Sequence, residues 1–331
     1  MYRTNIKDAP FLHDSEIALN LQIDLLIGLL AVMIIAVVQN GLRVLALCAV
    51  SAFAAWATET LGLLTVRRLG GTDIRSITMG LIIAMLCPVT VPWWLPASAS
   101  VISVLFVRVL LGPHYKTLFM TPVIGWLYML SVAPEYMTVY PAARSFSAFP
   151  ILDTVPEFQH TRSIAQLLQS NQTPPYSFMD LMTGNYAGGM GTTCIFVILA
   201  VCVYFIFRKS MACQVSLSMI VTVSAFALVF NRTQGNFLFS VLYELTATSY
   251  IFVAVFVAGD IINAPMLTPA KIIFGVLIGV FTMLFRYLGM GEHCVVIALF
   301  IANLLSELLD LAALKIQTDR MRKSWRKKAK V

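Results

Sequence analysis

Charge is scarce in this sequence of 331 residues: Asp, Glu, Lys and Arg make up 12% of it. A soluble chain of this length carries roughly 25% charge to cover its surface. Acid is scarcer than base, 16 residues against 23, for a net charge of +7. The six cysteines (Cys48, Cys87, Cys194, Cys202, Cys213, Cys294) are scattered, mostly in apolar runs, and no CxxC occurs. Each reads as core packing rather than a metal ligand. The four histidines show no metal spacing, and no Ser-His-Asp or Cys-His arrangement is evident, so neither a catalytic residue nor a metal is assigned. The N-terminal twenty residues are polar, without the short apolar core of a cleavable signal. The glycines of GNYAGGMG follow no strand pattern and have the wrong spacing for a dinucleotide fingerprint.

Apolar residues dominate instead, at 59% with a mean hydropathy of +0.83. They come in runs of about 18–25, the length that crosses a bilayer core. Ten spans are expected, near 20–39, 42–65, 74–92, 95–112, 116–134, 187–208, 212–230, 237–259, 269–288 and 293–314. One long polar connection, 135–186, interrupts them. Lys and Arg concentrate on the cytoplasmic side of membrane proteins. With the C-terminus inside, 18 basic residues fall in inside segments and 5 outside (Arg43, Arg144, Arg162, Arg232, Arg286). The positive charge therefore reflects topology and anionic lipid, not nucleic acid.

Two stretches read alike: CPVTVPWWLPA (Cys87–Ala97) and DIINAPMLTPA (Asp260–Ala270). In the ten-span frame the first lies outside and the second inside. The expected fold is an all-α polytopic membrane protein of about ten helices, arranged as two inverted five-helix repeats with proline-terminated helices. Such repeats set a binding site near their interface. The expected divisions are 1–134 (first repeat), 135–186 (extracytoplasmic connection), 187–314 (second repeat) and 315–331 (basic cytoplasmic tail). Proline stops a helix and leaves carbonyls without donors, and at membrane depth protein or ligand must satisfy them. Two plain loops punctuated by proline would give the same pattern.

Ionisable residues inside spans are costly and mark function or pairing. Asp24, Glu59, Glu244, Asp260, Glu307 and Asp310 qualify. Asp24 and Glu244 are the ion-path candidates, whereas Glu307 and Asp310 read as snorkelling or pairing with the basic tail. Gly184, Gly188, Gly189 and Gly191 permit either close approach of a ligand or close helix packing. Trp93 and Trp94 read as anchors at the membrane interface.

Four long stretches carry a resemblance: DAPFLHD, GGTDIRSITMGLIIAMLCPVTVPWWLPASASVISVLFVRVLLG, LMTGNYAGGMGTTCIFVILAVCVYFIFRK and FVAGDIINAPMLTPAKIIFGVLIGVFTMLFRYLG. In them the chain resembles the RnfD/NqrB family: the D component of the Rnf complex and the B component of the sodium-pumping NADH:quinone oxidoreductase. The resemblance implies a multi-pass subunit of the bacterial inner membrane, within a redox-driven ion-translocating oxidoreductase (translocase). Its partners would be the other Rnf-type subunits (A, B, C, E, G) and membrane lipid, and its coupling ion sodium or a proton. It also implies FMN held covalently by a threonine, with riboflavin as a second, non-covalent flavin. Three stretches depart from the family pattern: Thr121-Pro122 stands for Asn-Pro, Gly191-Thr192-Thr193-Cys194 for GETS, and Asp260-Ile261-Ile262-Asn263 for DPVT.

The family attaches FMN within an Asp-x-x-Ser/Thr-Gly-Ala-Thr motif, which is missing here. ILDTVPEFQHTRSIAQLLQ stands in its place, where Asp153 matches the acid and Thr161, two residues beyond the family step, stands for the threonine. Thr154 or another loop hydroxyl is an alternative, as is the loss of the covalent flavin. Repeat and resemblance together place flavin around Thr78, Cys87, Thr90, Gly188, Gly189, Thr192 and Thr193, and a second site near Asp260, Asn263 and Pro265. A secondary transporter or channel would share the symmetry and the prolines, but not the family-like wording of these stretches.

Overall fold

The computed structural model describes residues 15–65, 74–111, 119–141, 160–170, 172–230, 232 and 237–328. The chain is mostly helical. Five helical segments are long and apolar enough to cross a membrane: Leu19–Asn40, Arg43–Thr65, Phe237–Val257, Thr268–Tyr287 and Gly291–Ile316. Five more apolar helices are shorter: Ile74–Leu86, Trp94–Leu110, Thr121–Val132, Ile195–Arg208 and Cys213–Val229.

In chain order, α1 (Ser15–Asn40), α2 (Arg43–Thr65), α3 (Ile74–Leu86) and α4 (Trp94–Val104, continued as a π-helix through Leu110) precede α5 (Thr121–Val132) and α6 (Pro134–Met137). A two-residue antiparallel pair follows, β1 (Tyr140–Pro141) with β2 (His160–Thr161), then α7 (Ile164–Gln169) and α8 (Phe178–Thr183). The second half holds α9 (Ile195–Arg208), α10 (Cys213–Val229), α11 (Phe237–Thr246), α12 (Tyr250–Phe252, continued as a π-helix through Val257), α13 (Thr268–Tyr287) and α14 (Cys294–Lys328).

The distribution of polarity is that of a body solvated by lipid. Large apolar side chains such as Leu61, Phe196, Phe207 and Leu238 face outward, while Asp24, Arg43, Glu59, Arg108, Glu244 and Arg286 are buried. Small residues bring the helices close. Ser51 of α2 donates to the Gly80 carbonyl of α3 at 2.7 Å and sits 2.7 Å from Ser100 of α4. Ser216 of α10 donates to the Ala254 carbonyl at 2.6 Å. A methyl group at Gly80 would lie 2.8 Å from the Ser51 carbonyl oxygen, so only glycine permits this approach.

Several expected boundaries shift. The spans near 74–92 and 187–208 are helical only over Ile74–Leu86 and Ile195–Arg208, because residues 87–93 and 184–194 fold into turns that pair with one another. Met190 N–H donates to the Cys87 carbonyl and Gly191 N–H to the Met85 carbonyl, both at 2.9 Å. The span near 237–259 is broken at Ala247–Ser249. The basic tail is a continuation of α14 as far as Lys328 rather than a separate element. Asp310 accepts the Met266 and Leu267 N–H groups at 3.0 and 3.4 Å, at the start of α13, where Pro269 needs no donor. Arg43, Arg108 and Arg286, counted as loop-end charges in the sequence, are buried structural groups. Arg43 holds the Val89 and Val91 carbonyls, and Arg108 meets Glu59 at 2.7 Å.

Candidate functional site

Residues 246–249 interrupt the most buried of the long apolar segments. Thr248 and Ser249 both have left-handed backbones (φ 58° and 59°), a conformation that costs non-glycine residues about 1–3 kcal/mol each. Arg286 of α13 holds the break in place. Its guanidinium donates to the Glu244 carbonyl (2.6 Å), the Glu244 carboxylate (2.7 Å), the Ala247 carbonyl (2.9 Å) and the Thr248 hydroxyl (2.6 Å). The Ser249 hydroxyl meets Thr192 at 3.0 Å. Two half-helices, α11 and α12, thus end on a buried ion pair, and the carbonyl terminus of α11 faces the cationic side chain that its dipole favours.

The connection before α9 packs over this break. Ser163 caps α7 in a reciprocal capping box with Gln166 and touches the Glu292 carboxylate. Ile164 and Leu168 are buried with Tyr186, Tyr243 and Ala247, whereas Leu167 is half-buried. Each fully buried leucine or isoleucine here contributes about 1.5–3 kcal/mol to docking the connection. Burial first and the Glu292 carboxylate second push the Tyr140 phenol well above its ordinary pKa, so it stays neutral. Burial also raises the phenol of Tyr186.

Two hollows flank the break and share Ala247. One of about 250 Å³ is lined by Tyr140, Ser163, Tyr186, Gly188, Thr192, Thr246–Ser249 and Glu292. The other, about 240 Å³, is lined by Gln169, Arg232, Glu244, Arg286 and Gly291 among others.

The sequence-derived site residues fall into two groups at opposite ends of the bundle. At the end bearing the connection, Cys87 is buried with its thiol on the Ile83 carbonyl and Met129 sulfur. Thr90 donates to the Val139 carbonyl, and Thr193 donates to Gln39. Gly189 and Gly191 admit protein rather than an open approach: a methyl group there would meet the Leu86 carbonyl and Met85. Gly188 and Thr192 line the first hollow. Thr161 is half-buried in β2, opposite Tyr140 and two residues before Ser163. Asp153 and Thr154 lie outside the described residues.

Thr78 does not join that end. It precedes Cys87 by nine residues, a rise of roughly 13 Å along the chain, and bonds the Arg75 carbonyl and Gln22. Its neighbour Arg75 reaches Asn263 at 2.9 Å and Asp260 at 3.5 Å. Asp260 also accepts the Ile262 N–H and the Asn263 amide, and Pro265 is buried in the same turn. Asp24 sits at this end in a cluster with Tyr204, Arg208 and Ser210.

Glu244 is therefore one member of a charged cluster whose other members, Arg286 and Glu292, sequence reasoning missed. The signal was present in the spacing: Arg286 ends an apolar run of about twenty residues, too regular for a loop charge. Among the described residues no group of three or more His, Cys, Asp and Glu could hold a metal ion.

Comparison with known proteins covers nearly the whole chain. The D component of the Na(+)-translocating ferredoxin:NAD(+) oxidoreductase complex of Acetobacterium woodii is 23% identical over 294 residues, 87% of each chain. The D component of the proton-translocating ferredoxin:NAD(+) oxidoreductase complex of Clostridium ljungdahlii is 25% identical over 242 residues, 72% of each chain. The B component of the Na(+)-translocating NADH-quinone reductase of Chromohalobacter salexigens is 25% identical over 235 residues, 69% of this chain and 55% of that one. The model of the NQR2, RnfD, RnfE family matches residues 5–317, and the chain belongs to that family.

Proposed function

We propose that this chain is the membrane subunit of a redox-driven, ion-translocating oxidoreductase complex of the ferredoxin:NAD type, carrying electrons through flavin and assembled with Rnf-type subunits. The observation that carries the reading is a buried ion pair at a broken helix, Arg286 with Glu244, in a chain of this family. A charged group at membrane depth is expensive and is retained for ion or substrate passage. Family membership, not the break, separates this reading from a secondary transporter.

The ten apolar helices form, on this reading, two inverted repeats with the 135–186 connection on the outer side. Parallel details support it. Ser51 bonds an α3 carbonyl and Ser216 an α12-region carbonyl, each from the second span of its half. Pro96 and Pro269 each stand in the first turn of the fourth.

FMN would be held on Thr161. Its partly exposed position suits a hydroxyl that must accept a phosphate, and the capped α7 and buried Ile164 fix the strand that presents it. Even counted with their open mouths, the hollows fall below the roughly 300 Å³ of pockets that engulf a ligand of this size. The isoalloxazine would therefore rest against the outer face, not inside them. When bound, flavin supplies one-electron exchange, and the protein supplies position and electrostatics. Riboflavin is the second flavin of the proposal, near the Asp260 end.

The experiment is affinity purification of the tagged chain from its native membrane. Co-elution of further subunits and flavin absorbance supports the reading; a colourless chain eluting alone refutes it.

A further inference from the structure

The charges around the helix break do not balance within the buried shell. Glu244 and Glu292 are two carboxylates, 1% and 9% exposed, against the single guanidinium of Arg286 at 5%. Arg286 is committed to Glu244. The Glu292 carboxylate meets the Ser163 hydroxyl through one oxygen, and its other oxygen, not wholly shut off from the hollow, makes no hydrogen bond among the described residues. A buried carboxylate needs a positive charge or a proton.

Beyond the Arg286 guanidinium, which also acts on Glu292 but bonds Glu244, no neighbouring group brings a second positive charge among the described residues. Tyr140 and Tyr186 are neutral phenols, Cys294 rests against Thr248, and His293 is half-buried with no partner on Nδ1. Arg232 stacks 4.1 Å over the Tyr287 ring, donates to the Arg286 carbonyl, and lines the hollow beside Glu244 rather than the one beside Glu292.

The hollow at Glu292 sets hydroxyl oxygens among apolar neighbours such as Ile164 and Ala187. Ser163, Thr192 and Ser249 contribute hydroxyls. In the 3-10 turn Ala247–Ser249 the Tyr250 N–H turns to the Ala247 carbonyl and the helical ladder of α11 stops. The half-helix α11 ends here, and the terminus of a half-helix presents carbonyls and partial negative charge to a cation. Hard monovalent cations take oxygen donors of this kind, and the hollow is too small for an organic ligand.

We propose that the hollow bounded by Glu292, Ser163, Thr192, Thr246 and Ser249 binds one monovalent cation, either a sodium ion or a proton carried on Glu292. Identifying that cation with the transported ion rests on the proposed function; binding itself does not. The site lies two residues from Thr161, so its occupancy also sets how firmly Ser163 holds the segment that presents that threonine.

The test uses the purified full chain in detergent, with thermal unfolding followed against NaCl at constant ionic strength in choline chloride and across pH. For sodium, the midpoint rises with concentration and saturates, Glu292→Gln abolishes the response, and Thr192→Val or Ser249→Ala weakens binding at least about tenfold. For a proton, sodium has no effect, and infrared difference spectra show a protonated carboxyl that Glu292→Gln removes. A sodium response unchanged in Glu292→Gln overturns the site. So does the absence of both the response and the protonated carboxyl. If Glu292→Gln fails to fold, the Thr192 and Ser249 variants decide the sodium case, and carboxyl-selective isotope labelling of glutamate in the wild type decides the proton case. Flavin content measured on the same samples separates the two readings. Flavin without a cation refutes this site alone, and a cation without flavin refutes the cofactor assignment alone.

Discussion

Replacing Arg286 with methionine strips four hydrogen bonds from the break at once. The largest loss is the charge left on Glu244: removing one partner of a buried ion pair costs about 3–5 kcal/mol. The Glu244 and Ala247 carbonyls also lose a donor, at about 1–3 kcal/mol each if neither water nor local refolding replaces it. Partial relaxation of the strained Thr248–Ser249 turn offsets some of this, so a net loss of at least about 4 kcal/mol is expected. Adding Glu244→Met removes the stranded charge, and the double variant should recover at least about 2 kcal/mol of that loss. Arg232→Met is the control, because a half-exposed guanidinium over a ring is worth about 0.5–1 kcal/mol. Reversible unfolding in one detergent gives the three values. If Arg286→Met costs no more than Arg232→Met, or if the double variant equals the sum of the singles, the ion pair does not hold the break.

Other substitutions probe separate links. Ser249→Gly should change stability by less than about 1 kcal/mol, whereas Ser249→Val should cost about 2 kcal/mol or more, since β-branched residues resist a left-handed backbone; equal effects would contradict that geometry. Gly80→Ala should destabilise by about 1–3 kcal/mol through overpacking of α2 against α3, measured by unfolding, and a neutral result would show that the helices are not in contact there. Asp310→Ala should cost about 0.5–2 kcal/mol through loss of its bonds to the start of α13, measured by unfolding; a neutral result would show that those bonds do not hold α13. For sidedness, a thiol at Ser170→Cys should react with an impermeant reagent from outside and one at Trp325→Cys should not; the reverse pattern would invert the topology.

Much of this architecture was legible because lipid imposes a coarse rule on composition. Runs of apolar residues marked the helices, whereas prolines read as helix stops stand in the first turns of α4, α5 and α13. What stayed hidden was short-range backbone geometry inside those runs. Nothing in CPVTVPWWLP or GNYAGGMGTT says that their apolar residues pair as two turns, because the pairing is between segments about a hundred residues apart. Thr248 and Ser249 look like ordinary helix residues until Arg286 supplies donors that outweigh the strain. Of the candidate site, Glu244 was visible as a charge in an apolar run. Glu292 was not, since it stands between spans, where an acid normally meets water. Thr78 was misplaced because residues written together in sequence can be separated by most of a helix.

The central claim, that this chain carries flavin for a redox-driven ion pump, meets its most direct test in intact-protein mass spectrometry. The protein should be taken from a host that flavinylates its other subunits. The account predicts a mass about 440 Da above the polypeptide, the increment of one FMN joined through a phosphoester. Thr161→Ala should remove it while leaving the chain in its complex. An unmodified wild-type mass from that host, or an adduct that survives Thr161→Ala, would contradict the assignment.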